Sequence, residues 1–182
     1  MGPLCKRLSR LCPLKIKGAG LVCGMPSLSH ADAIALAASL CDRDRREILA
    51  LQEVDDLDCW AAGMVQLCSD SARCAADVIR VDGKPIAVAG IVRSNQMPWH
   101  ASSFLFGSDE RFSVWDKCLR VLMRAKRTMV NSGVRHITML CLDGPEPTAW
   151  LERLGFNLIG KSEGYGRDGE TFCLWSMTCV RE

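Results

Sequence analysis

The chain is 182 residues long, 48% hydrophobic and 24% charged, with a formal net charge of +2. That length suits one domain with a real core, and the composition is that of a globular protein, which excludes disordered and fibrous classes. No run approaches the roughly 18 consecutive apolar residues a transmembrane helix requires, and Pro13, Lys15 and Lys17 interrupt any signal-peptide core.

Charge is unevenly placed. Lys6, Arg7, Arg10, Lys15 and Lys17 precede the first acid, Asp32, so the first 31 residues carry +5 while the remainder carries −3. Residues 1–14 read as a basic arm and 15–182 as a single α/β domain. Such an arm suits nucleic acid, an anionic surface or an acidic partner; the plainer alternative is a solvated leader.

Lys15 to Cys23 has the composition of a first strand. Ser29-His30-Ala31-Asp32 has the form of a capping box, and Ala31, Ile34, Ala35 and Ala38 follow at helical spacing. Asp44-Arg45-Arg46-Glu47 repeats the start signal, which predicts a second helix from near Cys41 to Leu51. A third runs from Asp55 to Ser69, with Leu57, Trp60, Met64 and Leu67 on one face. At Ala76 the texture changes: Val78–Val81 and Ile86–Val92 are β-rich runs joined by Asp82-Gly83, a two-residue hairpin signal. Pro85 belongs at the start of its strand, where a missing donor is tolerated. Trp99–Phe106 reads as a third strand. A polar loop, Gly107–Phe112, then leads into a helix over Ser113–Asn131, with Gly133 as its C-terminal stop. His136–Leu142 is strand-like, Thr148–Leu154 a short helix ended by Gly155, and Asn157–Ser162 and Glu170–Cys179 are two strands around a Gly-rich turn. No repeat and no low-complexity stretch is present.

Eleven cysteines are present. Cys41, Cys68, Cys118, Cys141 and Cys173 fall among apolar residues of predicted helices and strands, as small buried hydrophobes do. With no C-x-x-C and only three histidines, neither a disulfide framework nor a metal site is expected, and the implied compartment is reducing and intracellular.

The Ser113 helix carries Trp115, Cys118, Leu119, Leu122, Met129 and Val130 on one face. Lys117, Arg120, Arg124 and Arg127 line the other, either as a solvated surface or as a basic track for phosphate or an acidic partner. Lys126 points towards the apolar side and is expected to snorkel from its edge.

The order hairpin, strand, loop, long helix, strand, short helix, two strands resembles the GNAT acyltransferase fold, a mixed and mostly antiparallel twisted sheet flanked by helices. Trp150-Leu151-Glu152-Arg153-Leu154-Gly155-Phe156 is similar to the helix end and Gly-Phe that close that family's coenzyme-binding half. More narrowly, Leu36-Ala37-Ala38-Ser39-Leu40 with Asp44 and Glu47, Val81 to Pro85, Phe106 to Asp109, Trp150 to Phe156 and Gly169 to Phe172 resemble the internal virion protein A family of short-tailed phages. That likeness implies a virion-associated protein, found in the virion and host cytoplasm, with other phage virion proteins as partners.

A working GNAT enzyme cradles the coenzyme diphosphate on backbone amides in a loop of the form Gln/Arg-x-x-Gly-x-Gly/Ala, where glycines allow close approach and the helix N-terminus is positive. Phe104, Phe106, Gly107, Ser108 and Arg111 are the corresponding candidates here. One glycine remains, and Asp109 and Glu110 place carboxylates where phosphates would rest. The resemblance therefore implies a degraded cradle with no cofactor, or acetyl-coenzyme A if the protein is active. Many GNAT enzymes carry a tyrosine four residues before the Gly-Phe glycine as general acid to the leaving thiolate, and Leu151 occupies that place here. Catalytic candidates are His100, as a general base, then Tyr165, the only tyrosine, and Glu163. Three functional readings follow: a virion scaffold on a GNAT-like frame, an acetyl-coenzyme A-dependent N-acetyltransferase, and a small adaptor holding nucleic acid through Lys6, Arg7 and Arg10 and the helical row of Lys117, Arg120, Arg124 and Arg127.

Overall fold

The computed structural model describes residues 28–52 and 56–179; the basic arm and the strand expected over Lys15–Cys23 lie outside them. Helix α1 (His30–Ser39) begins at the expected capping box, in which Ser29 Oγ accepts from Asp32 N–H and the Asp32 carboxylate accepts from Ser29 N–H. Two more helices follow, α2 (Asp42–Ala50) and α3 (Leu57–Ser69). Strands β1 (Cys74–Val81) and β2 (Lys84–Arg93) form the hairpin, and β1 begins four residues before the β-rich run because Cys74–Asp77 pair with β2 through Ala89–Val92. At its turn Asp82 and Gly83 both have positive φ, 49° and 80°, as a type I′ turn demands. Pro85 stands beside a register shift between Ile79 and Arg80, where the ladder is already interrupted.

Strand β3 (His100–Gly107) is followed by a 3-10 turn, Asp109–Val114, and then by α4 (Trp115–Asn131). The expected polar loop is thus a tightened turn, and α4 starts two residues later than its sequence suggests. Strand β4 (His136–Leu142) leads to α5 (Pro145–Arg153), which opens three residues before the expected Thr148. Pro145 and Pro147 fall in its first turn, where no intrahelical N–H is needed. Strands β5 (Asn157–Ser162) and β6 (Phe172–Thr178) complete a six-stranded sheet of order β1-β2-β3-β4-β6-β5.

All neighbours are antiparallel except β3 and β4, which run parallel. That parallel contact lasts only three residue pairs, from His100–His136 to Ser102–Thr138. Beyond it β3 stays with β2 and β4 with β6, so a wedge opens towards Gly107 and Leu142. Strand β5 is the far edge, exposed along its length, and carries Leu158 and Ile159 on the surface.

Two apolar clusters lie on opposite faces. Helices α4 and α5 bury Cys118, Val121, Leu122, Ala125, Met129 and Leu151 against Ala89, Ile91, Ile137 and Trp175. Val121 and Ala125 thus join the expected apolar face, while Trp115 and Leu119 are only half-buried. On the other face α1 and α3 pack Leu36 and Met64 against Val78, Val88 and Phe104. The cysteines of the described residues are free, and all but Cys59 and Cys68 are buried. No helix among the described residues is long and apolar enough to cross a membrane.

Candidate functional site

The mouth of the wedge is where the two separated strands present backbone groups that no strand satisfies. Gly107 sits on β3 with its N–H turned away from β2, since the next residue, Ser108, donates to Ile86 O at 2.8 Å. Leu142 holds the equivalent place on β4, since Asp143 N–H goes to Thr171 O on the β6 side. Buried backbone groups must find partners, and α2 supplies them for both strands. Cys41 N–H donates to Gly107 O at 3.0 Å, and Asp44 Oδ2 accepts from Gly107 N–H at 2.7 Å. On the other strand Glu47 Oε2 accepts from Leu142 N–H at 3.0 Å, while Arg43 Nη2 donates to Leu142 O at 2.5 Å. Helix α2 therefore bridges the wedge with side chains in place of a missing strand.

Arg111 completes the cluster. Its side chain is 5% exposed, and Nη1 lies 2.5 Å from Asp44 Oδ2, 3.1 Å from Gly107 O and 3.0 Å from Cys41 Sγ. Nη2 reaches Glu146 Oε1 on α5 at 3.4 Å, and the guanidinium carbon lies 4.9 Å from the Phe112 ring centroid. Burial alone would lower its pKa, but Asp44, Cys41 and Glu146 outweigh that and hold it above the ordinary arginine value. Burial pushes the Asp44 carboxyl up, opposed by Arg111 and the Gly107 N–H. Burial also lifts Glu47 to about 7, helped by neighbouring Asp44 and opposed by the Leu142 N–H, Arg43 and Arg111.

Of the expected cofactor residues, Gly107, Ser108 and Arg111 meet at the turn after β3, while Phe104 and Phe106 lie on the side of α1 and α3. Phe104 is buried beneath α1 and α3, and Phe106 packs against Trp60 at 5.6 Å between ring centroids. Ser108 is buried with its Oγ 3.4 Å from Ile86 O. Gly107 is a glycine for the sheet's sake: a Cβ there would lie 2.5 Å from Ile86 O and 2.8 Å from Ala87 Cβ. Arg111, expected to face a phosphate, faces Asp44 instead.

The groups expected to hold a diphosphate at this turn are engaged elsewhere. The Gly107 and Ser108 amides are bonded to Asp44 and Ile86, Arg111 is committed, and Asp109 and Glu110 stand exposed at the front, Glu110 paired with Lys84 at 3.0 Å. Deeper in the wedge, Ser103, Met139, Lys126, Trp150, Phe156 and Met177 help line an apolar cavity of about 20 Å³. That is room for one water or methyl group rather than a cofactor arm. Lys126 is half-buried at this cavity, the position expected from its place on α4. Outside the wedge a cleft of about 430 Å³ lies between Arg43 and Arg46 of α2 and Glu146, Glu170 and Thr171.

The catalytic candidates are not brought together. His100 stands at the closed end of the wedge, with Nε2 3.0 Å from Thr138 Oγ1. Gly107 lies at the other end of the eight-residue strand, roughly 23 Å away. Tyr165 is exposed and tilted against Phe172, with ring centroids 5.5 Å apart. Glu163 is exposed in the adjoining turn. Lys117, Arg120, Arg124 and Arg127 form an exposed row on α4, and Arg124 lies 3.7 Å from Asp77. Lys6, Arg7 and Arg10 lie outside the described residues.

Sequence reasoning missed Asp44 and Glu47 as wedge residues, although a signal was present. Cys41, Asp44 and Ile48 follow helical spacing, so Asp44 occupies a core position in an otherwise charged helix. The Gly-Phe end of α5 is as expected: Gly155 has φ +86°, and Phe156 N–H folds back to Leu151 O at 3.0 Å.

No protein-family model matches the sequence, and no curated protein matches it. Solved structures do match in fold. A ribosomal-protein-alanine N-acetyltransferase from Brucella melitensis superposes with a TM-score of 0.64 at 13% identity, over 85% of this chain and 98% of that one. Ard1 from Thermoplasma volcanium gives 0.64 at 13% identity, covering 86% and 97%. The putative acetyltransferase yncA from Salmonella typhimurium, solved with acetyl-CoA, gives 0.63 at 12% identity, covering 85% and 92%. With its splayed parallel strands, long helix and Gly-Phe helix end, the chain has the fold of the GNAT acetyltransferases.

Proposed function

We propose that this protein uses a GNAT fold as a scaffold for binding other proteins, with its wedge closed by α2 in place of a cofactor. One observation carries this reading: Asp44 and Glu47 take the inward amides of both splayed strands, and Asp44 also holds Arg111. The finer assignment, a phage virion protein acting in assembly or host entry, is supported by the sequence resemblance running from Leu36 to Phe172. The matching residues include Asp44 and Glu47, which the fold places at the wedge. Isothermal calorimetry of the purified protein with acetyl-coenzyme A, up to millimolar concentration, is expected to show no saturable heat. Tight binding would overturn the scaffold reading. Mass spectrometry of gradient-purified particles tests the virion role, and absence of the protein from them would overturn it.

A second reading, an acetyl-coenzyme A-dependent N-acetyltransferase, is favoured by the wedge itself, in which β3 and β4 part after three residue pairs. The same titration separates the two. Nucleic-acid binding through Lys6, Arg7, Arg10 and the α4 row is a third proposal. It predicts an affinity that falls steeply with salt, and a salt-independent affinity would discard it.

A further inference from the structure

The cluster around Arg111 has the anatomy of a binding site rather than of a surface ion pair. A guanidinium with a 5% exposed side chain and a buried backbone N–H converge on a single carboxylate oxygen, Asp44 Oδ2, at 2.5 and 2.7 Å. The Lys84–Glu110 pair differs, being held at the solvent edge with both side chains more than half exposed. Here the donors belong to the sheet and to the turn after it, whereas the acceptor arrives from α2, 63 residues from Gly107 and 67 from Arg111. The donors and the acceptor therefore come from separate elements, as receptor and ligand do.

We infer that Arg111 and the Gly107 N–H form a buried receptor for a small oxyanion, and that Asp44 fills it in cis as its resident ligand. The inference deepens the proposed reading of this wedge, since it rests on α2 being the wedge's own occupant. Charge-assisted donors in a water-poor site bind oxyanions strongly. Removing the Asp44 carboxylate leaves Arg111 buried with its principal counter-charge missing, because Glu146 is half-exposed and more distant at 3.4 Å. A planar monocarboxylate of one carbon, formate, matches what Asp44→Ala deletes. It would be held by the same two donors, with its second oxygen towards the space left by Asp44.

The test is thermal unfolding of the wild-type chain, Asp44→Ala and Asp44→Asn, titrated with sodium formate against sodium chloride at constant ionic strength. Asp44→Ala is expected to melt well below wild type and to regain at least half of the lost melting temperature, saturably, in formate alone. Ligand binding to the native state produces such a shift by mass action. Wild type and Asp44→Asn, whose side-chain oxygen still accepts from Gly107, are expected not to respond beyond chloride. If Asp44→Ala does not fold in chloride, recovery of its far-UV circular dichroism in formate is the readout. No formate-specific gain in Asp44→Ala by either measure overturns the inference, as does an equal response in wild type. A wild-type titration with acetyl-coenzyme A reports separately on the scaffold reading, so the two can fail independently.

Discussion

Glu47 is the residue whose titration most directly reports the closed wedge. Its unfolded-state pKa is near 4.5 and its folded value about 7, with burial the principal cause. The folded chain therefore holds this proton more tightly than the unfolded one. The stability Glu47 contributes is full below pH 4.5 and is lost as pH rises through 7, where the buried side chain must ionise. The charged groups facing it are Asp44 and Arg43 on its own helix and Arg111 beyond β3. Glu47→Gln keeps an oxygen for the Leu142 N–H and removes the charge. It is expected to be more stable than wild type at pH 8, by up to about 3 kcal/mol from the shift, with the gain fading towards pH 5. Urea unfolding at both pH values checks this; a glutamine variant that loses stability at pH 8 would show that Arg43 and Arg111 outweigh burial. Gly107 gives a second residue-scale prediction. Gly107→Ala drives a Cβ into Ile86 O and Ala87, and overpacking of this kind costs about 1–3 kcal/mol. A variant as stable as wild type in denaturant would mean that β2 and β3 separate easily.

At the scale of elements, local signals decided much of the fold. The β1–β2 hairpin was legible because Asp82-Gly83 prescribes its own turn, and α1 was legible because Ser29 and Asp32 cap each other. The start of α5 was not, because Asp143-Gly144-Pro145 reads as a break although Pro145 sits harmlessly in the first turn. Ser29→Ala should cost about 1 kcal/mol, typical of a lost N-cap. It also removes the hydroxyl that, ahead of Arg80, holds the Asp32 carboxyl below its usual range. Chemical denaturation of the variant at pH 7 measures the loss, and an unchanged midpoint would show that Arg80–Asp32 at 2.7 Å suffices. At the far end of the chain, Gly155→Ala leaves room for its Cβ, with Met177 Sδ 3.9 Å away, but forces a side chain to φ +86°. The backbone alone should then cost about 1–2 kcal/mol, read as a lowered melting temperature.

At the scale of the whole molecule, the site was far less legible than the frame. Arg111 was visible as a cation beside the acids Asp109 and Glu110, and its sequence neighbourhood pointed outwards to a phosphate. What turned it inwards is Asp44, 67 residues away in a helix whose string of charges reads as solvated surface. No local rule pairs residues so distant; only the parting of β3 from β4 creates the unmet backbone groups that draw α2 in. The family likeness supplied the frame correctly, while the chemistry at its centre had to be read from side-chain geometry.

The brevity of the parallel contact between β3 and β4 has a mechanical consequence. Strands β1, β2 and β3 form one sheet block and β4, β6 and β5 another, and each is stitched by long antiparallel ladders. Between the blocks run three residue pairs, braced at the open end by four side-chain and backbone contacts from α2. Each block closes through partners near in sequence, so refolding should complete the blocks before the seam. Stretched in a single-molecule experiment, the protein should tear along that seam first, leaving two short-lived halves whose hairpins are still intact.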